Sequence, residues 1–187
     1  MKRRFWPGAI AMSICGMLLT GCALQPAPTN HMMTQESSKF SSSDIMFAQM
    51  MIPHHQQAVD MGTLAETRAS NPEVKALAAQ IKGEQAPEIN QMKGWLTVAG
   101  ADLEMGHDMG MDGLLTDSEF DALKDSAGSV FDKLYLQGMI GHHEGAIAMA
   151  KLVENSQNAE VKALGQAIVT SQTKQINYMK ALLKTLG

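Results

Sequence analysis

Apolar residues between positions 44 and 98 recur at steps of three and four: Ile45, Ala48, Ile52 and Val59, then Val74, Leu77, Ala78 and Ile81. That spacing places them on one face of a 3.6-residue helix, and the strict alternation expected of strands is absent. Helices are predicted over 44 to 69, 72 to 98, 129 to 155 and 158 to 186. Serines before Asp44 can cap the first, and Asn71-Pro72 sets a capping side chain ahead of a proline at the first helical position. Between the pairs, Gly100 to Gly113 is rich in Gly and Met, and Thr116-Asp117-Ser118-Glu119 offers a capping box for a short helix that ends before Gly128.

The two helix pairs are copies. Met51-Ile52-Pro53-His54-His55 recurs as Met139-Ile140-Gly141-His142-His143 at a shift of 88, with Asp44 on Asp132, Phe47 on Tyr135 and Met61 on Met149. At a shift of 87, Asn71, Glu73, Val74, Lys75, Ala76 and Leu77 fall on Asn158, Glu160, Val161, Lys162, Ala163 and Leu164. One helix pair cannot bury its own apolar face, whereas two can bury theirs against each other. The expected fold is therefore all-α: a four-helix bundle of repeats 44–98 and 129–187 joined by the linker 99–128.

The start of the chain has a different character. Lys2, Arg3 and Arg4 precede an apolar stretch from Ala9 to Leu19 that is short for a membrane span, and Leu19-Thr20-Gly21-Cys22 follows. This reads as an export signal over 1–21, and its ending resembles the lipobox of bacterial lipoproteins. That likeness implies cleavage before Cys22, lipid on Cys22 as a membrane anchor, loss of Cys15 with the signal, and a bacterial periplasmic or cell-envelope location. Residues 22–43, with Pro26, Pro28 and Ser41-Ser42-Ser43, read as a flexible tether. Formal charge is −4 with 15 basic residues, and it becomes more negative once three of them leave, so nucleic acid is an unsuitable partner.

Composition then raises a chemical question. The chain has 16 Met, two Cys and 5% aromatic residues. At 100° per residue, Asp44, Met51 and His55 lie within about 40° of one another, with His54 and Met61 on the adjacent stripe. Asp132, Met139, His143, His142 and Met149 repeat that set. Imidazole binds borderline metals, and neutral thioether adds affinity for soft Cu(I), so the mixture points to copper, with Cu(I) favoured over Cu(II). Met also fills core gaps, and that reading is preferred for Met46, Met50, Met92 and Met179. Adjacent His side chains point about 100° apart, so one of each pair can ligate while the other packs. Pro53 and Gly141 loosen the helix directly before each pair. In the linker, Met105, His107, Met109 and Met111 form a second candidate set, because a Gly-rich loop needs no thioethers for packing; His31, Met32 and Met33 are a weaker echo on the tether.

Phe131-Asp132, Met139-Ile140-Gly141-His142-His143-Glu144-Gly145-Ala146 and Met149-Ala150 together resemble the signature of domain-of-unknown-function family 305. The family is ferritin-like in fold and includes the CopM-like periplasmic copper-binding proteins. The resemblance spans about residues 44 to 187. It implies an exported bundle that binds copper through Met and His and supports copper tolerance, with Asp132, Met139, His142, His143 and Met149 as matched positions. The first repeat departs from it, carrying Pro53 and Gln56-Gln57 where the second has Gly141 and Glu144-Gly145.

Three functions from different classes compete. The leading one is a copper-binding lipoprotein for sequestration, tolerance or transfer, with copper ions as ligand, a copper exporter or cuproprotein as partner, and no turnover. A helical module docking a partner through a Met-rich surface is the alternative. A di-iron oxidase ranks last, because such sites need Glu-x-x-His on two helices, and the only such string here is Glu104-Met105-Gly106-His107 in the linker. Gly-x-Ser-x-Gly, His-Glu-x-x-His and phosphate-loop motifs are absent, so no hydrolytic nucleophile is nominated.

Overall fold

A computed structural model describes residues 39–105 and 111–187. Helix α1 runs Ser42–Arg68, α2 Pro72–Ala99, α3 Asp117–Asp125, α4 Gly128–Ala150 and α5 Ala159–Thr185, with a single 3-10 turn at Lys151–Val153 after α4. The long helices start where their caps dictate. Ser41 and Asp44 form a reciprocal capping box, and the Asn71 and Asn158 side chains each accept two backbone N–H groups at the starts of α2 and α5. Thr116 and Glu119 do the same for α3. The one boundary that shifts by a turn is the end of α4, where the 3-10 turn takes over residues expected to be helical. Both α1 and α2 continue through internal prolines, Pro53 and Pro87.

The four long helices form the bundle, with α1 against α2, α4 against α5, and α1 against α4. α2 and α5 approach each other least of the neighbouring pairs. The chain joins this bundle earlier than the tether boundary at 43 implies. Phe40 is buried against Trp95, with ring centroids 6.1 Å apart, and the Lys39 carbonyl accepts from Asn158 Nδ2 at 3.2 Å. The signal, Cys22, and the tether up to residue 38 lie outside the described residues. Among the described residues no helix is long and apolar enough to cross a membrane.

The core comes in two pieces. One contains Phe47, Met51, Met92, Trp95, Met149 and Ile168; the other contains Met61, Ile81, Tyr135, Leu136, Met139 and Met179. The repeat exchanges them: Phe47 corresponds to Tyr135, Met51 to Met139, and Met149 to Met61. Each repeat thus supplies half of each cluster, and neither repeat could close its core alone. Between the two clusters, all four long helices carry polar residues at inward positions.

Candidate metal centre

The polar layer crosses α1 at His54 and His55, α2 at Gln85 and Glu88, α4 at His142 and His143, and α5 at Gln172 and Gln175. All four imidazoles are fully buried. Close packing of α1 on α4 brings His54 over His142, with ring centroids 3.8 Å apart and planes tilted by 38°. Their neighbours His55 and His143 point away toward α2 and α5, as the angular offset of adjacent helical residues requires.

Hydrogen bonding fixes which ring nitrogen of three imidazoles carries the proton. His55 Nε2 lies 2.8 Å from Glu88 Oε2, and a carboxylate only accepts, so His55 donates from Nε2. His142 Nε2 lies 2.8 Å from the His54 carbonyl and likewise donates. His143 Nε2 lies 2.7 Å from Gln175 Oε1, while Gln175 Nε2 donates to Glu84 Oε2 at 2.8 Å. Because Glu84 can only accept, the amide of Gln175 is oriented, its oxygen faces His143, and His143 too is the Nε2–H tautomer.

Every one of these rings therefore turns a lone pair on Nδ1 into the interior. Nδ1 of His55, His142 and His143 is buried without a partner, and so are both ring nitrogens of His54. The Asp112 carbonyl approaches His54 and weakly favours its protonation, but not in hydrogen-bond geometry. Gln85 Nε2 and Oε1 and Gln172 Oε1 are also buried and unpartnered in this layer. So many orphaned polar atoms in one layer of a core are costly unless something occupies them. Burial disfavours the charged form of His54, His142 and His143. Desolvation, reinforced by neighbouring His55, lowers His54 to about 3; desolvation lowers His143 to about 4 against the opposing Gln175 bond; His142 falls well below its usual range for the same leading reason. Neutral imidazole with one nitrogen hydrogen-bonded and the other free is the form that ligates a metal. The donor set thus suits a soft or borderline ion, although among the described residues no three His, Cys, Asp or Glu side chains converge on one point.

The ten side chains nominated on α1 and α4 do not form one compact site. They form a column. Met51, Met92 and Met149 lie in the cluster on one side of the imidazoles, and Met61, Met139 and Met179 in the cluster on the other. Met51 and Met61 are ten residues apart, about 15 Å along a helix, so one ion cannot bind both. Asp44 and Asp132 sit about 16 Å along the helix from His55 and His143 and hold other partners. Asp44 Oδ2 accepts from Ser41 N at 2.8 Å, and Asp132 accepts from Ser70 N at 3.1 Å, Ser70 Oγ at 2.5 Å and Asn71 N at 3.0 Å. Asp132 thereby ties the α1–α2 turn to α4. Met92 and Met179 are fully buried in the core as expected, while Met46 and Met50 are half-buried.

The linker returns to the bundle over the imidazoles. Gln49 Nε2 donates to the Asp102 carbonyl at 2.8 Å, and Gln57 clasps Leu115 by accepting from its N–H at 2.8 Å and donating to its carbonyl at 3.0 Å. Asp112 and Gly113 press on α4 so closely that a Cβ on Gly145 would stand 2.0 Å from the Asp112 oxygen. Gly113 has φ +88°, and a Cβ there would stand 2.5 Å from the Gly141 oxygen. Met105 and Met111 are half-buried at the two ends of the described linker; His107 and Met109, like His31, Met32 and Met33, lie outside the described residues. Glu84, Gln85, Glu88, Gln172 and Gln175 were not among the residues nominated from sequence. Their signal is nonetheless there, since Gln85 occupies a core position four residues after Ile81, and the shift of 87 places Gln85 on Gln172 and Glu88 on Gln175.

Fold and site together define an internally duplicated four-helix bundle with a buried layer of imidazoles between thioether-rich clusters. The chain belongs to the family described as Domain of unknown function (DUF305), whose model matches residues 44–183. A DUF305 protein from Streptomyces coelicolor has a similar structure, with a TM-score of 0.75, 35% identity, and coverage of 78% of this chain and 94% of that one. CopM in its Cu(II)-bound form is similar too, with a TM-score of 0.67, 34% identity, and coverage of 77% and 97%. CopM is also known in Cu(I)-bound and Ag-bound forms. Among curated proteins, the uncharacterized protein L153 of Acanthamoeba polyphaga mimivirus is 43% identical over 53 residues, 28% of this chain. The match spans about a third of that relative, 35% of its length.

Proposed function

We propose that this protein binds copper outside the cytoplasm, chiefly as Cu(I), on imidazole Nδ1 atoms and neighbouring thioethers, and serves sequestration, tolerance or transfer without turnover. The observation that carries this reading is the set of buried, unpartnered Nδ1 atoms of His55, His142 and His143, on rings held in place by a bond at Nε2. Soft thioether beside imidazole favours Cu(I), and neither donor is lost to disulfide formation in an oxidising compartment. The copper- and silver-bound forms of CopM support the same choice. Export and lipidation at Cys22 belong to this proposal, on the strength of the basic, apolar and small-residue order of the first 22 positions. For the docking alternative, Met51, Met61, Met92, Met139, Met149 and Met179 are buried and unavailable, which among the described residues leaves the half-exposed Met46, Met50, Met105 and Met111.

Anaerobic titration of the full chain with Cys15→Ser and Cys22→Ser, using Cu(I) against a competing chelator, tests the reading. Saturable binding is expected, and replacing His54, His55, His142 and His143 by Ala should weaken it at least about 100-fold, as loss of direct ligands exceeds the effect of losing their partners. Binding unchanged by those substitutions would move the site to Met105, His107, Met109 and Met111, and absence of competitive binding would overturn the copper assignment.

A further inference from the structure

On three sides of the bundle, helix packs directly on helix around the imidazole layer. α1 packs on α2, α4 on α5, and α1 on α4, and the last seam carries the Asp112–Leu115 strap, pressed onto Gly141 and Gly145 and clasped by Gln57. The fourth side differs. Between α2 and α5 the surface opens into a groove of about 640 Å³, lined by Gln80, Glu84, Ala167, Ser171, Gln175 and Tyr178 among others. Its floor is the outer end of the relay that reaches His143. Glu84 is half-exposed, Gln175 behind it is buried, and His143 behind that is fully buried, with links of 2.8 and 2.7 Å. Glu84 is itself held in place, with Oε1 accepting from Gln80 Nε2 at 2.8 Å while Oε2 takes Gln175.

We infer that this groove is the route by which a monovalent soft cation reaches the buried imidazoles, and that Glu84 and Gln175 form its gate. The inference rests on the copper reading above and adds to it a direction and two residues. Lys174 also lines the groove, so the attraction for a cation is local to the Glu84 carboxylate; oxygen donors bind a soft ion weakly, so Glu84 can receive it without retaining it. Displacing Gln175 from Glu84 releases the amide, and the side chain swings aside from His143 without exposing an unpaired charge in the core. On the opposite seam the strap lies directly on the α4 backbone at Gly141 and Gly145, and the cleft beside it between α1 and α3, lined by Pro53, Gln56, Gln57 and Phe120, includes no residue hydrogen-bonded to an imidazole among the described residues.

The test measures rate and equilibrium separately. In the Cys-to-Ser full chain, Ala167→Trp fills the groove from an exposed position, and Ala122→Trp adds the same bulk on α3, away from it. Cu(I) is supplied as its coloured bicinchoninate complex, and uptake is followed by loss of that colour. Ala167→Trp should slow uptake at least tenfold with final occupancy unchanged, Glu84→Gln should slow it several-fold, and Ala122→Trp should leave it as it was. Equal rates in all four proteins would overturn the route while leaving copper binding intact. Failure of the parent protein to take Cu(I) from the complex at any time would instead overturn the copper reading, and the route with it.

Discussion

The two halves of the imidazole layer share a backbone but not a chemistry. In the first repeat His55 donates to the carboxylate of Glu88; in the second, His143 donates to the carboxamide of Gln175, whose charge lies one residue further out on Glu84. A carboxylate bonded directly to one imidazole nitrogen makes the other more basic, so His55 Nδ1 is the stronger donor. The strap explains a second asymmetry. Position 57 is Gln, which grips Leu115, and its equivalent 145 is Gly, which leaves room for Asp112. Departures between the repeats that look like drift in sequence are, in space, the consequences of one linker lying across a twofold design.

Several measurements would sharpen or break that comparison. The largest effect is expected from acid. His54 and His143 titrate near 3 and 4 in the folded protein against 6.5 when exposed, so protonation favours the unfolded chain. Stability of the metal-free protein should be full above pH 6.5 and fall as pH drops toward 3, and His143→Gln should remove part of that fall, read by denaturant midpoints across pH. Next, Glu88→Gln should make the first half resemble the second and weaken its copper affinity about 10- to 100-fold. The converse pair, Gln175→Glu with Glu84→Gln, should strengthen the second half; no change in competition titrations with either variant would show the halves to be equivalent.

Smaller effects separate the two glycines of α4. Gly145→Ala should cost about 1–3 kcal/mol by forcing the strap away, whereas Gly141→Ala, with nothing within 4 Å of its Cβ, should gain up to about 1 kcal/mol from helix propensity. Equal signs in thermal unfolding would contradict the strap's close contact. Smallest are the caps. Asn71→Ala should cost about 1 kcal/mol, and Asn158→Ala slightly more, because Asn158 also donates to the Lys39 carbonyl. Asn158→Asp, which keeps the cap and loses that donor, isolates the difference.

The helices and the duplication were legible because each rests on local signals: periodic apolar residues, Asn71-Pro72, and a motif that recurs at a fixed shift. The site was legible only in part. Helical spacing puts Met51, His55 and Asp44 along one side of α1, but angle says nothing about distance along the axis, which separates Asp44 from His55 by about 16 Å. Asp44 and Asp132 read as ligand candidates because nothing in one dimension shows that they meet N–H groups of Ser41, Ser70 and Asn71. The partners of His55 and His143 come from the other helix of each pair, 33 and 32 positions away, and that of His142 from α1 of the other repeat, so all are set by packing and not by any local motif.

Burial of the thioethers also bears on how the molecule ages. Copper cycling between oxidation states generates oxidants, and exposed methionine is readily converted to its sulfoxide, which is polar and disrupts a core. Met51, Met61, Met92, Met139, Met149 and Met179 are at most 5% exposed, while Met46, Met50, Met105 and Met111 stand half-exposed at the periphery. Among the ten methionines of the described residues, these outer four should oxidise under peroxide before the inner six, giving a sacrificial rim around the sulfur on which the proposed chemistry depends.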